Sequence, residues 1–125
     1  RVGDRLRLST LWQVDNLPPD ATIQQFHHLY PLGAEAAAAC QRGETPVVDD
    51  WVALTNQPPA YNSDVPLSAH VWRSGDRLIV MADVFDLPPG AYALRTGHYT
   101  LPDVARIPRT DGNDGAVDVG AFCWE

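Results

Sequence analysis

A chain of 125 residues is long enough for one domain with its own core. Sixteen Asp and Glu stand against nine Arg and no Lys, a formal net charge of −7, which argues against nucleic acid as a partner and against adhesion to anionic lipid. No apolar run reaches the length of a membrane-crossing helix, so this segment is expected not to insert directly into a bilayer.

Residues 6–14 (LRLSTLWQV) read as a strand with Leu6, Leu8, Trp12 and Val14 on one face and Thr10 between them. Residues 16–20 (NLPPD) break it. Residues 22–30 (TIQQFHHLY) form a second strand, with Phe26, His28 and Tyr30 on one face and His27 and Leu29 on the other, ended by Pro31 and Gly33. Residues 34–42 (AEAAAACQR) have high helix propensity and precede Gly43, a suitable C-terminal cap; the competing reading is an edge strand. Residues 47–54 read as a strand or a helical turn, 56–66 as a proline- and asparagine-rich loop, and 67–72 as a short strand.

Residues 75–100 (GDRLIVMADVFDLPPGAYALRTGHYT) read as a single β-hairpin turning at Leu87-Pro88-Pro89-Gly90. Proline presets φ there and glycine accepts a positive φ. Tyr92, Leu94 and Thr96 alternate with Ala93, Arg95 and Gly97 at strand period. Residues 104–107 make another short strand, 109–115 (RTDGNDG) a turn, and 116–124 (AVDVGAFCW) the last strand. Six to eight strands in succession, with no β-α-β alternation, give the fold class. It is an all-β, immunoglobulin-like antiparallel β-sandwich, with one short helix if 34–42 is helical. The domain is 1–125, and a first residue of Arg in place of Met points to excision or processing from a longer protein. The Ala-, Pro- and Arg-rich, Lys-free composition suggests a GC-rich bacterial source.

Three segments carry a family resemblance: 6–14, Phe26-His27-His28-Leu29, and 71–99 with Trp72-Arg73-Ser74-Gly75-Asp76 and the 87–92 turn. In order and spacing the chain resembles the β-sandwich domain found C-terminal to bacterial multi-spanning glycosyltransferases of lipid-linked sugars (mannosyltransferase-like) and in related surface proteins. The 32–64 region is longer than that pattern, and His98 stands where an aliphatic residue is expected before Tyr99. The resemblance implies an extracytoplasmic accessory domain, tethered to a membrane protein, with no catalytic residues to carry over.

The chemistry-bearing residues are few. Neighbours in a strand point to opposite faces, so His27 and His28 do not chelate one metal; a zinc site requires His28 with His70 or His98. The bland alternative leaves one histidine half-buried and one exposed. Asp111, Asn113 and Asp114, with Asp118, are calcium-ligand types, but Phe122 stands where an EF-hand needs its bidentate Glu. Asp49, Asp50, Asp64, Asp83 and Asp86 give no glycosidase pair, Ser68 and His70 no nucleophile elbow, and neither cysteine lies beside a base. Cys40 and Cys123 either form one disulfide closing a long loop or remain two buried thiols.

The leading expectation is therefore a non-catalytic binding module without cofactor, its ligand a carbohydrate or another protein. A sugar would stack on Trp51 or Tyr61 and hydrogen-bond to Asp49, Asp50 and Asn62, whereas Trp12 belongs to the core and Trp72 packs near the hairpin. A structural spacer is the alternative, and a hydrolase with an Asp/His site the third class.

Overall fold

The computed structural model describes residues 1–15, 22–67, 71–101, 104–107 and 116–125. Seven strands and two short helices lie among them: β1 (Leu6–Gln13), β2 (Thr22–Pro31), α1 (Ala34–Gln41), α2 (Trp51–Thr55), β3 (Tyr61–Leu67), β4 (Arg77–Val84), β5 (Gly90–Leu101), β6 (Ala105–Arg106) and β7 (Ala116–Trp124). The protein is all-β in class, a sandwich of two antiparallel sheets. The larger sheet runs β3-β2-β5-β6, with β7 also paired to β5; among the described residues the smaller holds β1 and β4.

The main departure from the sequence reading concerns residues 75–100. They do not form a hairpin: β4 pairs with β1, and β5 lies in the other sheet between β2 and β7. The Leu87–Gly90 turn is instead an arch from one sheet to the other. Two aromatic side chains pin it, Trp124 Nε1 donating to the Leu87 carbonyl (2.9 Å) and the Tyr92 hydroxyl to the Pro88 carbonyl (2.6 Å). Leu87 itself is buried in the core, and burial of an apolar side chain at the turn outweighs the local hairpin geometry. Consecutive prolines stiffen the crossing as well as they would a turn.

A second departure is β3, which occupies part of the segment read as loop. It is an edge strand whose burial alternates along its length, and Pro66 is tolerated there because an edge strand has one side without ladder bonds. Of the strand expected at 67–72, Leu67 ends β3, 68–70 lie outside the described residues, and 71–72 are not strand.

Helix α1 settles the ambiguity at 34–42. Gly43 adopts φ 77°, and the Gly43 and Glu44 amides donate back to Cys40 O and Ala39 O, so the cap foreseen from sequence closes the helix. Within 47–54, only the part from Trp51 onward is helical. Its first turn is capped by Asp50, whose Oδ1 accepts from the Ala53 amide at 3.0 Å. A disulfide joins Cys40 of α1 to Cys123 of β7, with Cα atoms 5.6 Å apart and 83 residues of separation. On the chain-entropy account, closing a loop of that length contributes about 4–5 kcal/mol.

The space between the sheets has two halves. Leu6, Leu8, Leu29, Ala82, Leu87, Tyr92, Leu94 and Trp124 fill one with apolar side chains. Thr10, Trp12, Gln25, His27, Thr96 and His98 fill the other with a hydrogen-bonded network.

Candidate functional site

The residues singled out for sugar stacking are not assembled into one place. Tyr61 turns inward from β3 and packs edge-on against Tyr92 at 5.9 Å, on the core. Asn62 follows it on the opposite, solvent-facing side. Asp49 and Asp50 line an open groove of about 700 Å³ between α1 and the 44–57 segment, which neither Trp51 nor Tyr61 lines. Asp50 is already engaged as a helix cap, and Trp51 is half-buried at the start of α2. Asp111, Asn113, Asp114, Ser68 and His70 lie outside the described residues. Asp118 is bonded to Arg95, Nε to Oδ1 at 2.7 Å.

The histidines separate by face. His28 pairs across to Arg95 and His98 to Gln25, so His28 and His98 stand on opposite sides of the same sheet and cannot share a zinc ion. Among the described residues no three His, Cys, Asp or Glu side chains are grouped to hold a metal. Neither adjacent histidine is fully exposed, contrary to expectation: His27 is 1% exposed and His28 half-buried, because β2 is covered on both faces.

Inside the sandwich, hydrogen bonding assigns the tautomers. His27 donates from Nδ1 to the Ser63 carbonyl (3.0 Å), and its Nε2 accepts from Gln25 Nε2 (3.0 Å). His98 donates from Nε2 to Gln25 Oε1 (3.1 Å) and stands edge-on to Trp12 at 4.3 Å. Gln25 Nε2 also donates to Thr10 Oγ1 (2.7 Å), which accepts Trp12 Nε1 at 2.8 Å. Burial pushes the His98 pKa down to about 4, with His27 adding to the shift; burial likewise lowers His27. Both rings are neutral at pH 7. With Gln25 between them, the two rings belong to one hydrogen-bonded network inside the sandwich.

The outer face of the larger sheet carries a mixed cluster. The Phe26 ring lies 4.5 Å from His28 and 6.3 Å from Tyr99, under the Arg106 guanidinium at 4.7 Å. The Tyr99 hydroxyl lies 2.6 Å from Asp64 Oδ2 and 2.8 Å from Gln24 Oε1. Burial, then Asp64, pushes its pKa up to about 12, so it stays a donor. Phe26 is only 2% exposed and offers no stacking surface.

The outer face of the smaller sheet differs. Leu11 sits opposite Ile79, and Ser9 opposite Met81. Leu11 is 68%, Ile79 72% and Met81 57% exposed, and Phe85 just beyond β4 is 62% exposed. The row ends in charge: Gln13 opposite Arg77 at one end, Arg7 opposite Asp83 at the other. Sequence reasoning missed these residues, although a signal exists. The β4 run Leu78–Ala82 is apolar at every position, which reads as a strand buried on both faces, yet in a two-stranded sheet one of those faces is left to solvent.

Comparison with known proteins finds no matching family model, no matching curated protein and no matching solved structure.

Proposed function

We propose that this chain is a non-catalytic, extracytoplasmic binding domain whose ligand is another protein, engaged through the outer face of β1 and β4. One observation carries this reading: Leu11, Ile79 and Met81 share the outer face of the small sheet, with Phe85 just beyond its end, and each of the four is more than half exposed. Contiguous apolar surface of this kind marks interaction sites, whereas isolated exposed apolar residues do not. The Cys40–Cys123 bond supports an oxidising compartment, and with it the extracytoplasmic setting. Carbohydrate is the weaker ligand class, because the groove lined by Asp49 and Asp50 has neither Trp51 nor Tyr61 in its wall.

Photo-crosslinking in the producing cells tests the proposal. A photoreactive residue at position 79 should give a protein adduct, and one at Val47, which is 75% exposed and far from this face in the chain, should not. No adduct at 79, or equal yields at both positions, favours the spacer reading.

A further inference from the structure

Between β2 and β3 the chain leaves the larger sheet and returns to it. The exit is fixed by the Leu32 amide donating to Ala91 O (2.8 Å), the return by the Ala60 amide donating to Leu29 O (3.2 Å). The intervening residues 33–59 hold α1 and α2, and neither helix has a buried residue. Within the whole segment only Pro46 is buried. Among the described residues its hydrogen bonds are internal, and so is its ion pair, Arg42 with Glu44. Cys123 Sγ lies 3.5 Å from Glu44 O, but a disulfide sulfur has no hydrogen to donate. Besides Pro46, the ties to the sheet are the Cys40–Cys123 bond and the half-buried alanines of α1, which packs against β5.

Of these ties only the covalent one is strong. Methyl groups left half in water gain little from burial, and helices of eight and five residues do not persist in isolation. The layer nevertheless covers apolar surface. Ala91 and Ala93 alternate with the core residues Tyr92 and Leu94, so they face outward, and Tyr30 pairs with Ala93 on the face that carries Phe26 and His28. Yet Ala91, Ala93 and Tyr30 are all buried. The disulfide sets the end of α1 beside them, because Cys123 pairs across to Ala91.

We propose that residues 33–59 are a strap fastened over the outer face of the larger sheet by the Cys40–Cys123 bond, and that reduction of this bond by a dithiol opens the strap while the sandwich stays folded. A thiolate of the dithiol attacks one sulfur, and the other cysteine leaves as a thiolate and takes up a proton. The second thiol of the reductant then displaces the first cysteine, which leaves in the same way. The protein gains two electrons and two protons, and the reductant departs as its disulfide. Both cysteines are half-buried, so a small thiolate reaches the bond without unfolding. Opening uncovers Tyr30, Ala91 and Ala93 and leaves β2, β5 and β7 joined by their own ladders. Segments with few buried contacts open in this way well below global unfolding.

Amide hydrogen exchange with and without dithiothreitol, at neutral pH and without denaturant, tests this. On reduction the amides of 37–44 should exchange at least roughly 10-fold faster, while those of 26–29 and 92–96 keep their protection. Reoxidation should restore the first pattern, and Cys40→Ser should show the reduced pattern with no reductant present. Three results would each overturn the proposal. Unchanged protection of 37–44, with two free thiols confirmed by mass, would show that packing alone holds the strap. Loss of protection at 26–29 together with 37–44, or an unfolded Cys40→Ser, would make the bond a staple of the whole fold. Reduction that proceeds only in urea would show that the folded protein closes the bond to thiols.

Discussion

The two halves of the space between the sheets are built from the same strands and hold together by different physics. In the apolar half, Leu29, Leu94, Leu8 and Ala82 contribute by area removed from water, a non-directional gain that tolerates small shifts. In the polar half, Gln25 is 0% and His27 1% exposed, so each donor needs an acceptor in a fixed direction. One amide does this for two rings: Gln25 offers N–H to His27 and its carbonyl to His98. Rotating the amide reverses both partners at once, so the tautomers of two histidines on different strands are tied together. An apolar half gives stability; a satisfied polar half gives one register and little surplus energy.

Either half can be disrupted without the other. The largest effect is expected in the apolar half: Leu29→Ala, at a site 1% exposed, should cost about 3 kcal/mol in urea unfolding, since the removed methyl groups leave a cavity between two sheets. Gln25→Leu keeps much of the volume but strands Nε2 of both histidines, and should cost about 2 kcal/mol; a gain in stability would show that the network is not needed for folding.

The third test is pH. The folded pKa of His98 lies near 4 and that of His27 is also depressed, against about 6.5 in the unfolded chain, so the unfolded state takes up the proton first. The stability linked to these rings is present above about pH 6.5 and lost as pH falls toward 4, at most about 1.4 kcal/mol per pH unit for each ring. His28 on the outer face titrates in the same direction, so the diagnostic result is a shallower acid limb in His98→Gln, read as the urea midpoint at pH 7, 5.5 and 4.5. The smallest effect is expected outside the sandwich. Ile79→Ser, at a side chain 72% exposed, should leave thermal stability within about 0.5 kcal/mol while abolishing the position-dependent contacts proposed for that face.

What could be read in advance follows the range of the interaction. The strands β1, β2, β5 and β7 show period-2 or continuous apolar patterns, and α1 carries its own cap at Gly43. Each is a local property. The two-faced burial of β2 is also visible once its apolar and histidine residues are seen to occupy both phases, but which phase faces the other sheet is not. The β3 strand escaped because turn-type residues dominate 56–66 and an edge strand needs only one partner to hold it. The sugar-stacking group of Trp51, Tyr61, Asp49, Asp50 and Asn62 rested on closeness in sequence. Alternation separates Tyr61 from Asn62 across the sheet, and capping engages Asp50.

The all-β class, the strand-rich order, the acidic balance and the cap of α1 were determined by the sequence alone, because they depend on neighbours within a few residues. Tertiary structure decided which sheet each strand joins. Proline-stiffened residues 87–90 serve a hairpin and an inter-sheet arch equally well, and only burial of Leu87 and the two-sided pairing of β5 distinguish them. Among the described residues that choice left β1 and β4 as a sheet of two, with Leu11, Ile79 and Met81 of an otherwise apolar pair of strands exposed on its outer face.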